Sequence, residues 1–143
     1  MPVQHELDRI IPLLDELIAA GIAAPIAIAT ANPLVADQAI QSGASLIVDL
    51  DGLAGAPEMA EIAALHQVPV IARPSDLALA RANAAGIHLI LDFGQTPPER
   101  TNYPVLVGPM LPQAAISAYR AGAHILRVDD LIAITTHIQD ASW

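Results

Sequence analysis

No cysteine occurs among the 143 residues, which excludes disulfides, thiolate metal ligands and a thiol nucleophile, and fits a reducing compartment. Basic residues are scarce: six Lys+Arg stand against 15 Asp+Glu, for a formal net charge of −9, and no basic cluster forms. That balance is a poor footprint for nucleic acid or an anionic membrane surface. Long apolar runs are missing too, since no stretch approaches the about 20 residues of a membrane-spanning helix. The opening segment carries Glu6, Asp8, Asp15 and Glu16 among its apolar residues, so it reads as neither a signal peptide nor a span. A soluble cytoplasmic protein is expected, with no nucleic-acid and no membrane partner.

What is present is apolar. Hydrophobic residues make up 54% of the chain and charged residues only 15%, which argues against disorder and leaves few polar groups to cover an isolated surface. Part of that surface is expected to be buried in an assembly. The length suits a single domain, 1–143, with a continuous core, yet falls well short of the roughly 250 residues of a closed eight-stranded (β/α) barrel.

Along the chain, Leu7, Ile10, Ile11, Leu14, Leu17 and Ile18 recur at helical spacing and Gly21 follows, predicting an amphipathic helix. Then a phrase repeats. PIAIAT (25–30) reads as a strand, Asn32-Pro33 opens a helix, and that helix ends near Ser42-Gly43. SLIVDL (45–50) is followed by the loop DGLAGA and a helix from Pro57 to about His66; VPVIA (68–72) by the turn RPSD and a helix to about Ala85. IHLILD (87–92), PVLVG (104–108) with a helix 111–121, and HILRV (124–128) with a helix to about Asp140 complete the series. Apolar strands without polar alternation, separated by helices, signify a parallel sheet joined by right-handed crossovers. The expected fold is therefore α/β, with about six parallel strands. Only FGQTPPERTNY (93–103), with Gly94, Pro97 and Pro98, lacks its helix.

Ligands of parallel α/β folds bind outside the carboxyl ends of the strands. The residues closing these strands are Thr30, then Asp49 and Asp51, Arg73, Asp92, Gly108-Pro109, and Arg127 with Asp129 and Asp130. A carboxylate at a buried strand end needs a ligand, an Arg partner or backbone donors to accept from. Asp51 and Asp130 suit capping or a solvated loop. Asp92, closing an apolar strand ahead of Phe93-Gly94, suits a site. Arg127 requires an anion, either a ligand or a neighbouring Asp. Asp49 and Asp51, one residue apart, are the oxygen donors available to a hard cation such as Mg²⁺. His5, His66, His88, His124 and His137 show no metal-binding spacing and are assigned structural roles, and no serine has a nucleophile context.

The order of these segments resembles the dihydropteroate synthase family of pterin-binding barrel enzymes. PIAIATANPLVADQAIQSGASLIVDLDGL is similar to that family's I-D-T, helix, G-A-x-x-I-N-D-V-S-G stretch; LILDFG to L-D-P-G; YPVLVGP to L-V-G-x-S-R-K; and GAHILRVDD to G-A-x-x-x-R-V-H-D. The resemblance implies a partial TIM-barrel-like fold lacking the first two β/α units. It also implies open sheet edges at 25–30 and 124–128 that a homo-oligomer or a partner subunit would cover. It makes Asp92 a pterin contact and Arg127 an anion contact, with Thr30 and Asp49 beside them. The departures are specific. Ala29 stands at the pterin-contacting Asp of I-D-T, Val48 at the pterin-contacting Asn, Asp129 at the His, and Met110 where Ser-Arg-Lys would begin. Losing those hydrogen-bonding groups costs roughly 1–3 kcal/mol per contact with a pterin. The expectation is a degenerate protein linked to folate biosynthesis that binds a pterin or small anion, or serves as a non-catalytic companion. Two alternatives stand beside it: an active transferase joining a dihydropterin diphosphate to p-aminobenzoate, and a truncated chain without independent activity.

Overall fold

A computed structural model of the chain describes residues 2–94, 101–110 and 125–128. The expected helices at 111–121 and 129–140, the segment 95–100, Asp129, Asp130, His124 and His137 lie outside the described residues. The chain divides into two compact units, Met1–Leu89 and Ile90–Trp143.

In the first unit, helix α1 (Val3–Ala19) precedes three strand and helix pairs: β1 (Ala27–Thr30) and α2 (Pro33–Gln41), β2 (Leu46–Asp49) and α3 (Glu58–His66), β3 (Val70–Ala72) and α4 (Asp76–Ala85). β1 pairs parallel with β2, and β2 with β3, with Ala29 opposite Val48 and Thr30 opposite Asp49. Parallel pairing in chain order brings Thr30 and Asp49 to one end, as the sequence implies. β1 pairs with β2 alone among the described residues.

Local chemistry sets the helix boundaries. Asn32 accepts from the Leu34 and Val35 N–H groups ahead of Pro33, and Ser75 accepts from the Ala78 N–H, so each satisfies donors that a first helical turn leaves unpaired. α3 and α4 end on the left-handed residues Gln67 and Gly86. Replacing Asn32 by Ala is expected to cost about 1 kcal/mol, read as a lower urea midpoint with an unchanged m-value.

The helices neighbour one another in order, α1 on α2, α2 on α3, α3 on α4. Small residues of α2, α3 and α4, namely Ala36 and Ala39, Ala60 and Ala63, Ala78 and Ala82, are buried together with Ile28, Ile47 and Val70 of the strands. In β1 and β2 the burial alternates, with Ile28, Thr30, Ile47 and Asp49 buried and Ala29 exposed on the opposite side. α1 covers its neighbours with only Leu7 and Leu14 fully buried, leaving Leu13 and Ile18 about half exposed. The strong sequence periodicity of this helix thus exceeds the surface it covers in this unit.

The second unit holds β5 (Val105–Met110) and β6 (Ile125–Val128), with β4 (Leu89–Asp92) entering it at Ile90. β4 pairs parallel with β5, Asp92 opposite Leu106, and β5 pairs parallel with β6 through a register shift between Val107 and Met110. Each strand predicted from the sequence is present, and each begins one or two residues later than predicted.

Candidate functional site

At the carboxyl end of the first unit's strands the polar groups are organised by the chain itself. Asp49 is buried, and both of its carboxylate oxygens accept backbone N–H groups: Oδ1 from Asp51 at 3.0 Å and Oδ2 from Leu53 at 2.8 Å. A buried carboxylate with two well-placed donors is satisfied without a ligand. Thr30, fully buried, donates its hydroxyl to Glu6 of α1 at 2.6 Å and accepts from the Asn32 N–H at 3.0 Å. The structure therefore brings together Thr30 and Asp49, and gives each of them internal partners.

The loop after β2 owes its shape to these contacts. Gly52 and Leu53 both take left-handed φ, 60° and 61°. For leucine that conformation costs roughly 1–2 kcal/mol, and the Leu53 side chain, 1% exposed, is buried in the core. From α4, the Arg81 guanidinium donates to the Leu53 carbonyl and, at 3.2 Å, to the Gly55 carbonyl. Leu50 N–H reaches the Thr30 carbonyl at 3.3 Å, and a Cβ on Gly52 would lie 4.0 Å from the Arg73 carbonyl. The loop thus runs across the ends of β1, β2 and β3. Asp51 is exposed on it and folds against Gly55, where an added Cβ would stand 2.5 Å from Asp51 Oδ2. Arg73 is exposed beyond β3.

Beside this loop lies an open groove of about 610 Å³. α1 contributes Glu6, Arg9, Ile10 and Leu13, and the strand ends contribute Ala29, Ala31, Asn32 and Leu50. Its walls are mainly apolar, with Arg9 the one cation among the lining residues. Among the described residues no group of three or more His, Asp or Glu side chains is arranged to hold a metal ion.

In the second unit, half-buried Asp92 closes β4 and its Oδ1 accepts the Gly94 N–H at 2.9 Å. Phe93 N–H donates to the Leu106 carbonyl at 3.1 Å and Gly108 N–H to the Gly94 carbonyl at 2.6 Å, tying the turn to β5. Arg127 occupies β6; its side-chain contacts lie outside what is described.

The family profile described as "Pterin binding enzyme" matches residues 1–108. The chain belongs to the pterin-binding enzyme family. It is 41% identical over 67 residues to a dihydropteroate synthase of Bacillus subtilis, an alignment covering 47% of this chain and 23% of the relative. It is 34% identical over 92 residues to a dihydropteroate synthase of Synechocystis, covering 64% and 30%. Among solved structures, dihydropteroate synthase from Stenotrophomonas maltophilia superposes with a TM-score of 0.80 at 24% identity, over 98% of this chain and 76% of that one. The Xanthomonas albilineans synthase with 4-aminobenzoic acid gives 0.77 at 25%, over 98% and 74%. The fold of this pterin-binding-family chain is accordingly that of part of a TIM-barrel-like (β/α) structure. No helix among its described residues is long and apolar enough to cross a membrane.

Two participants were invisible to strand-end reasoning. Glu6 sits a helix and a turn before Thr30, and Arg81 is 28 residues from Leu53; neither spacing carries a sequence signal. His66, assigned a structural role, holds Asp37 at 2.6 Å, linking α3 to α2.

Proposed function

We propose that the chain is a degenerate, dihydropteroate synthase-like domain linked to folate biosynthesis. It binds a pterin-like molecule or small anion weakly and acts as a companion subunit rather than as a synthase. The observation carrying this reading is Ala29. It lines the groove at the strand ends, at the position where the resemblance implies a pterin-contacting aspartate, and offers no hydrogen bond. Its register partner Val48, at the position of the implied asparagine, offers none either. Thr30 and Asp49, which the strand-end pattern put forward for ligand contact, already satisfy α1 and the loop after β2. Asp92 and Arg127 remain the ligand contacts in this proposal, and exposed Asp51 the oxygen donor for a Mg²⁺ ion, since both Asp49 oxygens are taken by backbone N–H groups. The edge of β1 that is unpaired among the described residues and the exposed Leu13 and Leu50 suit a covered surface, supplied by a second copy or by a partner subunit.

The test is a titration by calorimetry of a hydroxymethyl-dihydropterin diphosphate analogue, with and without Mg²⁺, on the wild-type chain and on Asp92→Asn. Weak binding that falls at least about threefold in the variant, with no turnover of 4-aminobenzoate, is the expected result. Absence of heat and of any shift in melting temperature would remove the pterin reading. Turnover lost in Asp92→Asn would instead establish an active synthase.

A further inference from the structure

We infer that Arg81, which neither the strand-end pattern nor the family resemblance assigns, is a positioning residue: from α4 it fixes the rim loop that carries Asp51 across the ends of β1, β2 and β3. The loop is held from two sides. From below, Asp49 binds the N–H groups of Asp51 and Leu53; from α4, the Arg81 guanidinium binds the carbonyls of Leu53 and Gly55. Leu53 is gripped by both, through its N–H by Asp49 and through its carbonyl by Arg81, and it is the residue with the unfavourable φ of 61°. A conformation that leucine seldom adopts persists only when its surroundings over-determine it, and here the two charged side chains do so. Their pull is on opposite ends of one residue, so the peptide planes on both sides of Leu53 are set without a ligand.

The consequence is a rim whose shape is ready before binding. Asp49 spends its oxygens inside the loop, and Asp51 is the carboxylate that the loop leaves exposed. Both bonds to the loop carbonyls come from one nitrogen of the Arg81 guanidinium, Nη1, whose two N–H groups serve the two carbonyls. The ligand taken by that rim, a pterin-like molecule bearing an anion, rests on the proposed function; the clamp does not.

Hydrogen exchange of the free protein decides the clamp. Arg81→Met is expected to speed exchange of the Asp51 and Leu53 amides at least about tenfold while the amides of β1, β2 and β3 change less than about twofold. Arg81→Lys falls between the two. An equal acceleration throughout the three strands would reduce Arg81 to general stabilisation and overturn the inference, as would loop amides that stay protected in Arg81→Met. Binding of the diphosphate analogue supplies the second readout, with affinity expected to weaken at least about threefold in Arg81→Met and to recover partly in Arg81→Lys. A loosened loop with wild-type affinity would overturn the positioning role. If the wild-type chain does not bind the analogue, the proposed function fails while the exchange comparison still rules on the clamp.

Discussion

Replacing Asp49 by Ala is expected to destabilise the first unit by about 3–5 kcal/mol, because one buried and one part-buried N–H donor lose a charged acceptor at once, each bond worth roughly 1.5–3 kcal/mol. The donors are those of Asp51 and Leu53. Leu53 has no route to water, since its side chain is among the largest fully buried ones. Water therefore cannot replace the carboxylate without opening the loop, and opening it withdraws Leu53 from the core. Asp49→Asn should cost less, since its amide oxygen still accepts one of the two bonds. Asp51→Ala, on the exposed side of the same loop, should stay within about 0.5 kcal/mol of wild type. Urea unfolding of the three variants measures this ordering. Equal losses for Asp49→Ala and Asp51→Ala would mean that Asp49 is not the organiser of the loop.

The ordering bears on how much of the molecule its sequence declares. Strand positions were legible because apolar runs such as AIAT and LIVD lie between helical segments, and parallel pairing follows from the intervening helices. Boundaries at Asn32-Pro33 and Ser42-Gly43 were legible because a capping side chain with proline opens a helix and glycine follows its end. The gathering of Thr30 and Asp49 at one rim followed from the same topology. Their employment did not follow. A carboxylate closing a strand carries the same sequence signature whether it meets a ligand or its own backbone. The path of the next four residues decides, and in this loop that path needs two successive left-handed residues, one of them a leucine. No local pattern forecasts a leucine at a φ of 61°, because the stabilising Arg81 arrives from a helix three elements later. Side-chain partners at such separations are set by packing, which periodicity and strand-end position leave undetermined.

The same reasoning makes a gain of binding the sharpest consequence of the proposed function. The double variant Ala29→Asp, Val48→Asn returns the two polar groups that the family resemblance implies for pterin contact, and it is expected to raise affinity for the diphosphate analogue by at least about tenfold. Each restored hydrogen bond is worth roughly 1–3 kcal/mol when the ligand's polar atoms are otherwise left unpaired, and about 1.4 kcal/mol is tenfold in affinity. The geometry admits the change. Ala29 and Val48 are register partners on adjacent parallel strands, so both side chains project to the same side of the sheet. Ala29 is exposed and lines the groove, and Val48 is only half-buried, so neither new polar group is stranded in the core. An aspartate at 29 also stays hydrated in the free protein, which keeps the stability cost below that of a buried charge. Calorimetry against wild type and each single variant measures the effect, with unchanged melting temperature as the control for folding. A double variant that folds and binds no tighter than wild type would show that the groove beside Ala29 is not where the pterin ring sits, and the assignment of Ala29 and Val48 as lost contacts would fall with it.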